Sequence, residues 1–262
     1  MFRILGVLAG FFILGVLGSI LGYLLGSIID RFRTSDSAEI NTYTAARRQS
    51  VFLETVFTLM GKLAKADGRV SETEIAHVEQ FMHMLGMSAE HRLKAIALFK
   101  RGASSMFDIK PKLTEFMQVC GNSRNLKQML LIYLINFGLS DGQLSGSEVR
   151  LLKEISGRLG YSRTAFDRLL EMIQSQLHFS NGRPMSVNAL EDAYKALGVN
   201  RNSSDAEIKR AYRKLISQYH PDKLMGQGLP EEMISVATEQ AKEVQSAYDL
   251  IKKNREQTRA TA

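Results

Sequence analysis

The residues best placed to carry function are His220-Pro221-Asp222, in the setting Tyr219 to Lys223. Pro221 removes a backbone donor and disfavours helical geometry at His220, so the chain must turn there. The segment before the turn carries Lys209, Arg210, Arg213 and Lys214, and Lys223 follows it. Cations concentrated around a turn read as partner steering. The chain has no Gly-x-x-x-x-Gly-Lys-Ser/Thr loop and hence no nucleotide cradle of that kind. No catalytic residue is assigned and no cofactor is expected.

Three elements must position this turn. Leu190, Ala193 and Leu197 recur at helical spacing, with Gly198 as a stop. Ser204-x-x-Glu207 is a capping box that starts a second helix, whose apolar face is Ile208, Ala211, Tyr212, Leu215 and Tyr219. The cations fall largely on its other face. After the turn, Gly226, Gly228 and Pro230 predict a loop, and a last helix begins near Glu231. Its positions Ile234, Ala237, Ala241, Val244, Tyr248 and Ile251 form a seam for an antiparallel neighbour, with the two alanines allowing close approach. Two long helices therefore pack side by side and hold the turn at one tip.

This arrangement, from Ala189 to Arg255, resembles the J domain by which DnaJ-type co-chaperones stimulate the ATPase of Hsp70. The resemblance implies that His220, Pro221 and Asp222 engage the nucleotide-binding domain of Hsp70 near its interdomain linker. It implies that Lys209, Arg210, Arg213, Lys214 and Lys223 steer this surface onto an acidic patch. The chain itself would not be an enzyme but would activate the partner's ATPase.

Residues 4–29 hold no charged side chain. That exceeds the ~20 residues that cross a bilayer as a helix and is longer than the ~7–15 apolar residues of a cleavable leader. A retained membrane anchor is the expectation, with a signal peptide or a buried core helix as the alternatives. Arg3 precedes the run and Arg31, Arg33, Arg47 and Arg48 follow it, which favours a periplasmic N-terminus and a cytoplasmic body. Gly18, Gly22 and Gly26 are four apart, and each step of four drifts only about 40° round a helix. Such small-residue rows let membrane helices approach closely, which predicts homodimerisation through the anchor.

The net charge is +7, but the positives are dispersed among negatives except before His220. The basic balance therefore reads as partner and membrane steering rather than nucleic-acid binding. The single cysteine, Cys120, excludes an intrachain disulfide framework and a multi-cysteine zinc site. It lies on the apolar face Leu113-x-x-Phe116-Met117-x-x-Cys120 and reads as an inert core thiol.

Residues 31–45 are polar and read as a tether. From Arg47 to Leu177 helical spacing recurs: Phe52, Val56, Leu59, Leu63; Ile75, Val78, Met82, Leu85; Leu130, Leu134, Phe137; Leu152, Ile155, Leu159; Phe166, Leu169, Ile173. Gly86, Gly102, Gly121 and Gly160 punctuate the pattern. Within it the run from Ala66 to Glu74 echoes that from Ser140 to Glu148, each reading Asp-Gly-x-apolar-Ser-x-x-Glu. This pattern resembles the TerB-like helical domain, named for tellurite-resistance proteins. The resemblance suggests a divalent-cation site from Asp67, Glu74, Asp141 and Glu148. Locally the plain reading is stronger. Ser71-x-x-Glu74 and Ser145-x-x-Glu148 are capping boxes, Gly68 and Gly142 end the preceding helices, and neither loop has an EF-hand ligand run.

The expected protein is thus all-α. Residues 1–30 form a single transmembrane helix, 31–46 a polar linker, 47–179 a TerB-like domain, 180–188 a second linker, and 189–262 a J domain with an antiparallel helical hairpin. The order resembles the bacterial membrane-anchored DnaJ-like co-chaperones. It implies a single-pass inner-membrane protein whose cytoplasmic bulk stimulates an Hsp70 of the DnaK type. The alternatives are a membrane-tethered, metal-responsive scaffold and a membrane protein that binds nucleic acid through its basic helix.

Overall fold

The computed structural model describes residues 44–66, 68, 72–140, 142–180 and 189–260. The expected anchor at 4–29, with Gly18, Gly22 and Gly26, and residues 181–188 of the second expected linker lie outside them, while Ser180 ends α7 rather than starting that linker. All regular elements among the described residues are helical. None of these helices is long and apolar enough to cross a membrane. One compact unit is Arg48–Ala262. The other is Met1–Arg47, of which residues 44–47 are described and form the first turn of α1.

The central part comprises α1 (44–64), α2 (Glu72–Met84), α3 (Ala89–Gly102), α4 (Ile109–Cys120), α5 (Arg124–Gly138), α6 (Gly146–Arg158) and α7 (Arg163–Ser180). The α5 helix lies in its middle. Its Met129 to Ile135 are buried without a break. A helix that is apolar all round can only sit inside a core. Around it pack Phe52, Val56, Leu59 and Leu63 of α1, Val78 and Met82 of α2, and Ile155, Phe166 and Ile173 of α6 and α7, the faces that the spacing predicts.

Two glycines set how closely α1 and α3 cross. A Cβ on Gly61 would fall 2.0 Å from the Phe99 carbonyl oxygen, and one on Gly102 would fall 1.8 Å from that of Thr58. Only backbone fits at this crossing. Thr55 and Thr58 are buried there, and their hydroxyls donate to the Val51 and Glu54 carbonyls one turn back. Helix starts follow the sequence closely. Ser145 and Glu148 form a complete capping box on α6. Gly86, Gly142 and Gly160 take positive φ after α2, α5 and α6.

The C-terminal part comprises α8 (Ala189–Ala196), α9 (Asp205–Tyr219), α10 (Pro221–Gln227), a 3-10 turn (Glu231–Met233) and α11 (Ile234–Ala260). Ser204 and Glu207 close the capping box that starts α9. α9 and α11 pack as the expected hairpin, with Ile208 and Leu215 against the buried Ala237, Val244 and Ile251 side of α11. Tyr212 stacks on Tyr248, with ring centroids 4.3 Å apart. The expected loop after His220 is instead the short helix α10. Pro221 sits in its first turn, where a missing N–H is harmless, and Gly228 stops it at φ 102. Of the glycines here, only Gly228 needs glycine's conformational freedom.

Candidate interaction site at the His-Pro-Asp turn

His220 ends α9 and caps α10 in one residue. Its backbone is extended, φ −63 and ψ 123, as a residue before proline requires. Its ring is exposed and caps nothing. Pro221 is half-buried, and Asp222 is exposed in the first turn of α10, where the helix dipole favours a carboxylate. Lys209, Arg210, Arg213, Lys214 and Lys223 are all exposed. Lys223 Nζ donates to Ser217 Oγ at 3.2 Å, which ties the start of α10 back to α9. Arg210 lies close enough to Glu207 to help lower its pKa, after the hydrogen bonds that Ser204 gives the same carboxylate.

The turn is buttressed from behind by the central helices. Tyr219, one residue before His220, is fully buried, and its hydroxyl accepts from Gln128 Nε2 at 3.4 Å. Burial raises the Tyr219 pKa, so the phenol stays protonated. Ser123 Oγ at the start of α5 donates to Gln227 Oε1 at 2.9 Å. Leu224, Leu229 and Met233 are completely buried. Tyr133, inside α5, donates its hydroxyl to the Met233 carbonyl while its ring meets Phe52 and Phe81 edge-on. His91 Nδ1 lies 2.7 Å from the Glu232 carboxylate. Gly228 faces Arg48, whose Cβ would lie 2.6 Å from a Cβ added there.

None of these buttressing residues is among the sequence-predicted site residues. Tyr133 had a legible signal: a hydroxyl in the middle of a wholly apolar run must find a partner when buried. Gln128, Ser123 and His91 had none, because their partners are roughly a hundred residues away or more.

The four acidic residues read as a possible cation site are not brought together by what is described. Asp67 and Asp141 lie outside the described residues. Glu74 is in α2, and Glu148 caps α6, accepting from the Ser145 amide at 2.8 Å. Among the described residues, no group of three or more His, Cys, Asp or Glu could hold a metal ion. Cys120 is buried, its thiol directed at the Arg48 carbonyl. Burial pushes its pKa up to about 11, against a small lowering by Arg48.

Comparisons with known proteins match this architecture in chain order. The transmembrane domain of co-chaperone DjlA matches residues 1–50, tellurite resistance protein TerB residues 53–171, and the DnaJ domain residues 192–260. Co-chaperone protein DjlA of Yersinia pestis is 36% identical over 274 residues, 97% of each chain. The chain belongs to the DjlA co-chaperone family. That of Escherichia coli K12 is 36% identical over 252 residues, 92% of each chain, and that of Shewanella oneidensis is 37% identical over 211 residues, 80% of each. No solved structure matches. The protein is therefore a DnaJ-like co-chaperone with an N-terminal membrane anchor, a TerB-like domain and a C-terminal J domain. The tripeptide lies inside the J-domain match, and Ser123, Gln128 and Tyr133 behind it lie inside the TerB match.

Proposed function

We propose that this co-chaperone stimulates the ATPase of a cytosolic Hsp70 of the DnaK type through His220, Pro221 and Asp222. The observation that carries the reading is an exposed His-Pro-Asp turn, flanked by exposed cations and fixed at its base by buried residues. Lys209, Arg210, Arg213, Lys214 and Lys223 steer an acidic partner surface onto it. His220 and Asp222 then make the short-range contacts that favour the hydrolysing state of the partner. The phosphoryl chemistry belongs to Hsp70.

The body lies in the cytoplasm, where the partner finds ATP, behind a single inner-membrane pass with a periplasmic N-terminus. Arg31, Arg33, Arg47 and Arg48 support that orientation. In intact spheroplasts, external protease leaves residues 50–262 uncut; digestion without lysis would refute the orientation. Gly18, Gly22 and Gly26 form the contact face of an anchor homodimer, so replacing all three with Leu weakens association without preventing insertion. An unchanged dimer population would remove the glycines from the interface.

The decisive test of function is steady-state ATPase stimulation with purified Hsp70. His220→Gln abolishes stimulation while leaving the melting curve nearly unchanged, because an exposed residue rarely alters stability by more than about half a kcal/mol. Full stimulation by the folded variant would overturn the assignment.

A further inference from the structure

The basic surface continues from the hairpin onto the central domain. A cleft of ≈ 640 Å³ lies where α9 meets α5 and α7, and its charged lining residues are Arg124, Lys127, Arg168 and Lys214. A second cleft, of ≈ 430 Å³, lies beside α10 and is lined by Arg48, Arg124 and Lys223. Arg124 borders both and joins them into one band. Neither cleft has an Asp or Glu in its lining, although the chain carries 27 acidic residues against 34 basic ones.

None of the six cations has a carboxylate ion-pair partner among the described residues, whereas Lys94, Lys112, Lys153, Arg158 and Arg255 do. Like charges gathered without counter-charge repel one another, which favours an anionic occupant. The buried Tyr161 hydroxyl on the wall of the larger cleft has no hydrogen-bond partner. Leu169, Met172 and Leu197 give that cleft an apolar floor. A concave site with mixed cations and apolar side chains suits a peptide segment better than a phosphate backbone, which needs an open basic face. The Gln128–Tyr219 and Ser123–Gln227 hydrogen bonds fix the band to the base of the turn. Lys223, next to Asp222 in sequence, lines the smaller cleft, so the band begins beside the turn.

We infer that the central domain is a second half of the partner surface. Arg48, Arg124, Lys127 and Arg168 join Lys214 and Lys223 in a two-domain basic cleft that seats an acidic segment of the same Hsp70. This rests on the co-chaperone reading above.

The test uses the full chain in detergent micelles and follows the Hsp70 concentration giving half-maximal stimulation, at low and at moderate salt. Arg124→Glu, Lys127→Glu and Arg168→Glu together raise it on the order of tenfold at low salt and far less at moderate salt. The maximal stimulation is retained, since the turn is untouched. A control with the same charge change on exposed residues elsewhere, Lys100→Glu, Lys110→Glu and Lys253→Glu, shifts it by less than about twofold. If the reversal variant melts early, the corresponding triple Gln variant must show the same salt-dependent shift at smaller size. Unchanged half-saturation in a folded cleft variant, or an equal shift in the control, overturns the cleft while leaving the His-Pro-Asp mechanism standing. A wild-type chain that gives no stimulation overturns both.

Discussion

The α9–α11 hairpin is secured differently at its two ends. At the open end a polar clamp is built from its own side chains, beside α8, which is held to α7 by the Gln176–Ala196 hydrogen bond and the Lys195–Glu171 ion pair. Arg255 donates to Asp205, to the Arg201 and Ser203 carbonyls and to the Tyr194 hydroxyl, with Arg259 adding a second contact to Asp205. This clamp is polar and partly solvated. At the closed end, next to the tripeptide, the support is borrowed. Leu224, Leu229 and Met233 are buried, and Tyr133, Gln128 and Ser123 of the central domain supply hydrogen bonds. The end that bears the tripeptide is thus positioned by another domain: the TerB-like domain orients the turn.

Breaking the borrowed end carries the largest effect. Tyr133→Ala removes a buried aromatic and costs about 3–5 kcal/mol. In hydrogen exchange it deprotects residues 224–233 before residues 205–208. Uniform deprotection would mean that the two ends are not independently held. Tyr133→Phe keeps the ring but leaves the Met233 carbonyl without its donor, and costs about 1–3 kcal/mol by denaturant melting.

The open end gives the reverse pattern with a smaller loss. Arg255→Ala lowers the melting temperature and speeds exchange at residues 205–208 while residues 229–233 keep their protection. Loss of protection at both ends would merge them into one cooperative clamp. Its acid side has a definite sign. Hydrogen bonds from Arg255 first, and then Arg259, hold the Asp205 carboxyl below its ordinary value of 3.8. A depressed native pKa contributes stability above the ordinary value and loses it as pH falls through the native one. Wild type therefore melts above Asp205→Asn at neutral pH, and the two converge in acid. A gap that persists unchanged into strong acid would contradict the ion pair.

The smallest effect concerns Cys120, near the borrowed end. With its pKa near 11, the buried thiol is protonated at neutral pH and resists alkylation until the chain unfolds. Labelling faster than global unfolding would reveal a local opening beside Arg48 and Gly228.

Most of the fold was legible because local chemistry settled it. The Ser204 and Ser145 capping boxes, the stops at Gly86, Gly160 and Gly198, and the seam from Ala237 to Ile251 need only neighbours in sequence. The exposed turn was legible for the same reason, since Pro221 dictates the geometry of His220. α10 was missed because its glycines suggested a loop, although Pro221 and Asp222 favour a helix start. The buttress and the basic cleft join residues as distant as Ser123 and Gln227, and no spacing rule reports such pairs. The reciprocal contact of Gly61 and Gly102 escaped for the same reason.

In the proposed mechanism the exposed turn triggers the partner while the surrounding cations recruit it. Single-turnover ATP hydrolysis by Hsp70, measured across a range of concentrations of the full chain, separates these roles. His220→Gln should remove the acceleration even at saturation, with the chain still folded. Arg213→Ala with Lys214→Ala should reach the wild-type maximum at higher concentration, more markedly so at low salt. Wild-type acceleration at saturation by folded His220→Gln would contradict the account.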